Sequence, residues 1–177
     1  RSGEFPYPAM SHEPRIQEVA DHLASRGLKP CYTPLGIRIN EAQKYLSPCI
    51  RCSTCDGYPC LVHAKSDAEV LGVRPALEHA NVTLLTNARV VRLETNADGT
   101  SVTEVVVDRD GSEERFAGDI VVVACGAANT ARLFLQSANE KHPNGLANGS
   151  DQVGRNYMFH DSTAVLALSR EENSTIF

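Results

Sequence analysis

The sequence predicts an α/β fold, and three observations carry that expectation. Residues 120–124 (IVVVA) form an unbroken β-branched run that passes through Cys125 and Gly126 into a helical stretch. Between residues 82 and 117, short apolar-alternating segments are separated by Asp-Gly dipeptides. Near the start, Ile16, Val19, Ala20, Leu23 and Ala24 repeat at helical spacing. With 177 residues, 42% of them apolar and 22% charged, the chain is long enough to bury a core and too apolar to be disordered.

Each element has a local reason. Residues 1–10 are extended, with Pro6 and Pro8. The stripe from Ile16 to Ala24 makes one helix, and Gly27 stops it. Residues 30–39 read as a short strand or loop, interrupted by Pro34 and Gly36, and residues 40–65 as irregular. Ser66 and Glu69 fit a capping box that opens a second helix to about residue 80, and Pro75 within it implies a kink or a shorter helix than the pattern suggests. Strands follow at 82–86, 89–95, 102–108 and 113–117, a meander whose turns are Asp98-Gly99 and Asp110-Gly111. The run 120–124 does not alternate, so it reads as a strand covered on both faces, central in a parallel sheet. Asn129 caps a helix to about residue 137, residues 139–156 form a Gly- and Asn-rich loop, and residues 162–169 alternate as a strand.

Charge and length exclude several classes. Lys and Arg total 17 against 22 Asp and Glu, a net charge of −5, so no basic field exists to attract nucleic acid. The longest apolar run, residues 120–128, is too short to span a bilayer, and residues 1–10 lack the apolar core of a secretion signal. Three glycosylation sequons, at Asn81, Asn148 and Asn173, are patterns short enough to recur by chance.

Six cysteines are many for this length, and four crowd into one segment as Cys49-x2-Cys52-x2-Cys55-x4-Cys60. Such a cluster suits an iron–sulfur cluster, zinc, a local disulfide or packed free thiols. The last spacing is one residue longer than in the bacterial ferredoxin run, and Leu61 replaces its proline. The compartment stays open.

Three stretches in order resemble the glucose-methanol-choline (GMC) family of FAD-dependent oxidoreductases, in its choline-dehydrogenase-like and sugar-dehydrogenase-like branch. They are CIRCSTCDGYPCLVHAKSDAEV at 49–70; NVTLLTNARVVRLET at 81–95 with DIVVVACGAANTARLFLQS at 119–137; and HPNGLANGSDQVGRNYMFH at 142–160. The resemblance implies that residues 1–160 are part of an FAD-binding Rossmann-like domain with a β-meander and a Cys-rich loop at 49–65. Residues 161–177 would then start a substrate domain. It implies hydride transfer to FAD from the CH–OH group of a small alcohol or sugar, with a cytochrome, a quinone or oxygen as electron acceptor.

Residue by residue, the resemblance places three cofactor contacts. Val90 matches the position whose main-chain N–H and C=O meet the adenine of FAD; Ala124 and Gly126 match a turn that approaches the cofactor. Cys49, Cys52, Cys55 and Cys60 are the metal candidates, since some relatives hold a three-iron cluster in this segment. The alternative function is therefore an iron–sulfur or zinc electron-transfer module. His63, Lys65 and Ser66 either face the flavin phosphates or cap a helix, and His160 reads as structural. The sequence departs from the family in lacking its G-x-G-x-x-G turn and its C-terminal catalytic histidine, and in having Ala131 for proline and His63 for glycine. It thus looks like an internal piece of a longer protein, expected to be inactive and to hold FAD weakly when alone.

Overall fold

A computed structural model describes residues 7–52, 54–55, 57–164, 166 and 168–170. The chain divides into two units, one of residues 1–83 with 166–177 and one of residues 84–165.

The first unit begins with helix α1, Pro14–Ser25. Pro14 occupies its first turn, where a missing N–H costs nothing. Gly27, at φ +82°, ends it: the Gly27 amide donates to Ala24 O and the Leu28 amide to Leu23 O, a left-handed cap that only glycine adopts freely. Ala20 is its one buried residue, so most of the predicted apolar stripe is uncovered. Residues 30–39 are loop rather than strand, apart from a single bridge between Ile37 and Lys65. The Arg38 amide donates to Ala64 O and the Ser66 amide to Gly36 O, and these bonds close the base of the Cys-rich loop.

The helix expected from Ser66 differs. Ser66 is not its cap; the Asp67 carboxylate accepts from the Val70 amide. Five residues, Glu69–Val73, then form a wide π-type turn that runs into one short α turn, α2, Arg74–Ala76. The reason is Pro75, which has no N–H to return to the preceding turn.

The second unit is a three-stranded antiparallel meander with one helix. Strand β1 is Ala88–Thr95, β2 is Val102–Arg109 and β3 is Ser112–Phe116, in spatial order β1-β2-β3. The Asp110-Gly111 turn has positive φ at both residues, 52° and 82°, the backbone that a two-residue hairpin of this hand requires. Register shifts fall between Val90 and Arg92 and between Glu94 and Thr95. Val106 and Val107 are both buried although they face opposite sides, so the central strand is covered on both faces there. Residues 82–86, expected as a strand, are irregular.

Helix α3, Ala127–Gln136, packs on β1. Leu93, Leu133 and Leu146 form the core, with Val102, Val105, Val121, Val123 and Phe134 against it. Residues 120–124, expected as a central strand, belong to no strand. Val121 and Val123 turn inward, while Ile120 and Val122 are 84% and 80% exposed. One face is covered and the other is not, because no neighbouring strand pairs with it among the described residues. The helix starts at Gly126, not Asn129. Residues 162–164, 166, 168 and 169 form no strand, and residues 165 and 167 of that expected strand lie outside the described residues.

Candidate functional site

Strand β1 is a border strand, so half of its backbone amides and carbonyls point away from β2. Leu93 shows this directly: its N–H donates to Ser137 Oγ at 3.0 Å, on the side away from the sheet. Ser137 Oγ donates in turn to Leu133 O at 2.7 Å. A second tie follows two residues on, where Asn139 Nδ2 donates to Thr95 Oγ1 at 3.1 Å. The two ties thus hold β1 against Ser137, the residue that ends α3, and against Asn139 just beyond it. Val90 precedes Leu93 on the strand, and Gly126 precedes Ser137 at the other end of the helix. Val90 pairs with Val107 and is 37% exposed.

Gly126 is the N-cap of α3, at φ 79° and ψ 163°, a conformation essentially confined to glycine. A Cβ built there meets nothing within 4 Å, so the space beside it is open. No side chain caps the helix, which leaves its first amides without an intrahelical partner. The Cys125 amide is held by Thr130 Oγ1 at 3.2 Å, which steadies the turn. Ala124 is exposed just before it. This is the chemistry an adenine nucleotide uses: a free strand edge, a backbone approachable without a side chain, and helix amides. The residues present therefore fit the adenosine part of FAD.

Farther along α3, Ala127, Ala128, Ala131 and Arg132 line an open groove of about 600 Å³ with Arg155 and Tyr157. Arg155 is paired with Asp151 at 2.6 Å. The 142–156 loop is tightly turned. Asn148, one of the sequon asparagines, is 3% exposed, and its amide is spent on Asn144 O and the Val153 amide.

The four clustered cysteines lie in a loop, as expected, and of the readings left open it shows free thiols. Among the described residues, no three His, Cys, Asp or Glu side chains gather to hold a metal ion, and all six cysteines are free thiols. The sulfurs of Cys49, Cys52 and Cys60 instead find partners within the loop. Cys49 Sγ accepts from the Arg51 amide at 3.4 Å, Cys60 Sγ accepts from the Ala64 amide at 3.3 Å, and Cys52 Sγ meets Thr54 Oγ1 at 3.4 Å. The Thr54 hydroxyl holds the Cys52 thiol below its ordinary value, and the Ala64 amide does the same for Cys60. Lys65 clips the loop by donating from Nζ to the carbonyls of Cys55 and Tyr58, so its ammonium is used within the loop. Beside the loop, Glu41 accepts from the Ser11 amide and hydroxyl and from Arg51 at 2.6–2.8 Å, which holds its carboxyl low, the Ser11 hydroxyl contributing most.

Sequence reasoning missed Ser137 and Asn139. The signal for Ser137 was a hydroxyl four residues after a core leucine at the end of an apolar helix, where it can bond back to the helix and still accept.

The GMC oxidoreductase family model matches residues 19–162. A 6'''-hydroxyparomomycin C oxidase of Streptomyces lividus is 32% identical over 149 residues, 84% of this chain and 27% of the relative. A paromamine 6'-oxidase of Streptomyces fradiae is 35% identical over 130 residues, 73% of this chain and 24% of the relative. The fructose dehydrogenase large subunit of Gluconobacter japonicus is 33% identical over 110 residues, 62% of this chain and 19% of the relative. The chain thus spans about a quarter or less of the length of these relatives.

Proposed function

The chain belongs to the GMC oxidoreductase family, whose members bind FAD, and from that premise we propose that it forms the adenosine side of an FAD site in an enzyme that oxidises a CH–OH group. When bound, FAD supplies the hydride acceptor for the alcohol carbon. The chain's own residues hold and orient the cofactor. Val90 presents main-chain N–H and C=O to the adenine edge from the border strand. Gly126 lets the backbone come close where any other residue would interpose a Cβ, and the uncapped amides of α3 face the same region. Ala124 completes the turn. The base that takes the hydroxyl proton lies, on this reading, outside these 177 residues, as do the strands that pair with residues 119–124. Residues 161–177 begin the substrate domain.

The substrate is a small alcohol or a sugar. The relatives are named for oxidising 6'''-hydroxyparomomycin C, paromamine and fructose, which supports a hydroxyl-bearing small molecule as substrate. Electrons leave to oxygen, a quinone or a cytochrome.

The observation that carries the reading is a border strand, β1, tied through Ser137 to a helix whose N-cap is an unshielded Gly126. Its test is the full-length protein with Val90→Pro, which deletes the N–H while keeping an apolar side chain. FAD affinity should fall about tenfold, the worth of one buried hydrogen bond. Purified full-length protein without flavin, or a Val90→Pro variant with undiminished affinity, contradicts the proposal.

A further inference from the structure

We infer that Ser137 is a positioning residue for the cofactor, a hydroxyl bracket that sets where the Val90 edge of β1 stands relative to the N-terminus of α3. The inference rests on the proposed adenosine site. Ser137 is 1% exposed and Leu93 is 2% exposed, so neither the hydroxyl nor the strand amide has water as an alternative partner. The single hydroxyl hydrogen goes to Leu133 O at 2.7 Å, which leaves the oxygen lone pairs for the Leu93 N–H at 3.0 Å. One atom therefore joins the helix backbone to the strand backbone. Asn139 and Thr95 add a second tie at 3.1 Å, farther from the site.

Position along two elements is what such a bracket controls. From Leu93 back to Val90 is three strand residues, roughly 10 Å. From Ser137 back to Gly126 is eleven residues, roughly 16 Å along the helix. A slide of the strand against the helix is resisted by side-chain packing, which is smooth, and by Ser137, which is directional. Ser137 does not touch the adenine contacts. It acts through the strand, and a residue-scale slip of the strand would carry the Val90 N–H and C=O away from an adenine held at the α3 terminus.

The chemistry of the ligand separates this role from mere stability. FMN has the isoalloxazine and one phosphate but no adenosine, so a bracket that serves the adenosine site affects FAD and not FMN. The experiment removes flavin from the full-length protein and titrates it with FAD and with FMN, for wild type, Ser137→Ala and Ser137→Cys, alongside thermal melts. Ser137→Ala leaves the Leu93 amide without a partner; Ser137→Cys keeps the shape with a weaker acceptor and serves if the alanine variant does not fold. The expected result is an FAD affinity about tenfold weaker in Ser137→Ala and partly recovered in Ser137→Cys, with FMN affinity unchanged. Equal loss for both flavins, or an unchanged FAD preference in both variants, overturns the positioning role while leaving the adenosine site standing. A wild type with no preference for FAD over FMN overturns the adenosine site itself, and the inference with it.

Discussion

At the scale of single residues, two glycines in this chain do different work. Gly126 sits in a glycine-only conformation with open space around its missing Cβ, so Gly126→Ala meets strain alone. The expected cost is about 1–3 kcal/mol. Gly145, at φ 101°, would place a Cβ 2.9 Å from Leu135 Cα and from Phe134 O, so strain and collision add. Gly145→Ala should therefore lower the melting temperature of the full-length protein more than Gly126→Ala does, and the reverse order contradicts this reading. The turn at Gly126 was legible in the sequence because small residues follow a β-branched run. The packing of Gly145 on the back of α3 was not, since it depends on a contact across ten residues of loop. Glu41 offers a titration test. Its folded-state pKa is lowered, first by the Ser11 hydroxyl, so its stabilising contribution is present above the ordinary carboxylate range. That contribution is lost as pH falls through the lowered value. The melting-temperature gap between wild type and Glu41→Gln should be full at neutral pH and close on acidification; a gap that does not change with pH contradicts it.

At the scale of elements, the strand meander was readable and the central strand was not. The hairpins between β1, β2 and β3 are local: Asp110-Gly111 supplies the turn, and alternation supplies the pairing. Residues 120–124 depend on partners distant in sequence, and the described residues supply only the Leu93–Leu133–Leu146 core on one side. The second helix is short at Pro75, the shorter form that this proline implied, while the Ser66 cap did not form. For the four cysteines, spacing reports which sulfurs are able to meet but not their local partners: the backbone amides of Arg51 and Ala64 bond to Cys49 and Cys60. The element that holds the second unit together is the β1–α3 contact. Leu93→Ala, at a 2% exposed site between them, should cost about 2–5 kcal/mol by chemical denaturation. A loss well under 1 kcal/mol would mean that this contact does not carry the unit.

At the scale of the whole molecule, the proposed adenosine site rests on family membership together with the contact between β1 and α3. The exposed apolar faces fit the same picture. Ile120, Val122, Tyr157, Met158 and Phe159 are each at least 75% exposed, a pattern expected of surfaces that other parts of a longer protein cover. The relatives are several times longer than the stretch they share with this chain. The most direct test is amide hydrogen exchange on the full-length protein with and without FAD. The account predicts that FAD slows exchange in two separated stretches, residues 88–93 on β1 and residues 124–128 at the start of α3, and leaves the Cys-rich loop unchanged. Tight FAD binding with no protection in either stretch would contradict it.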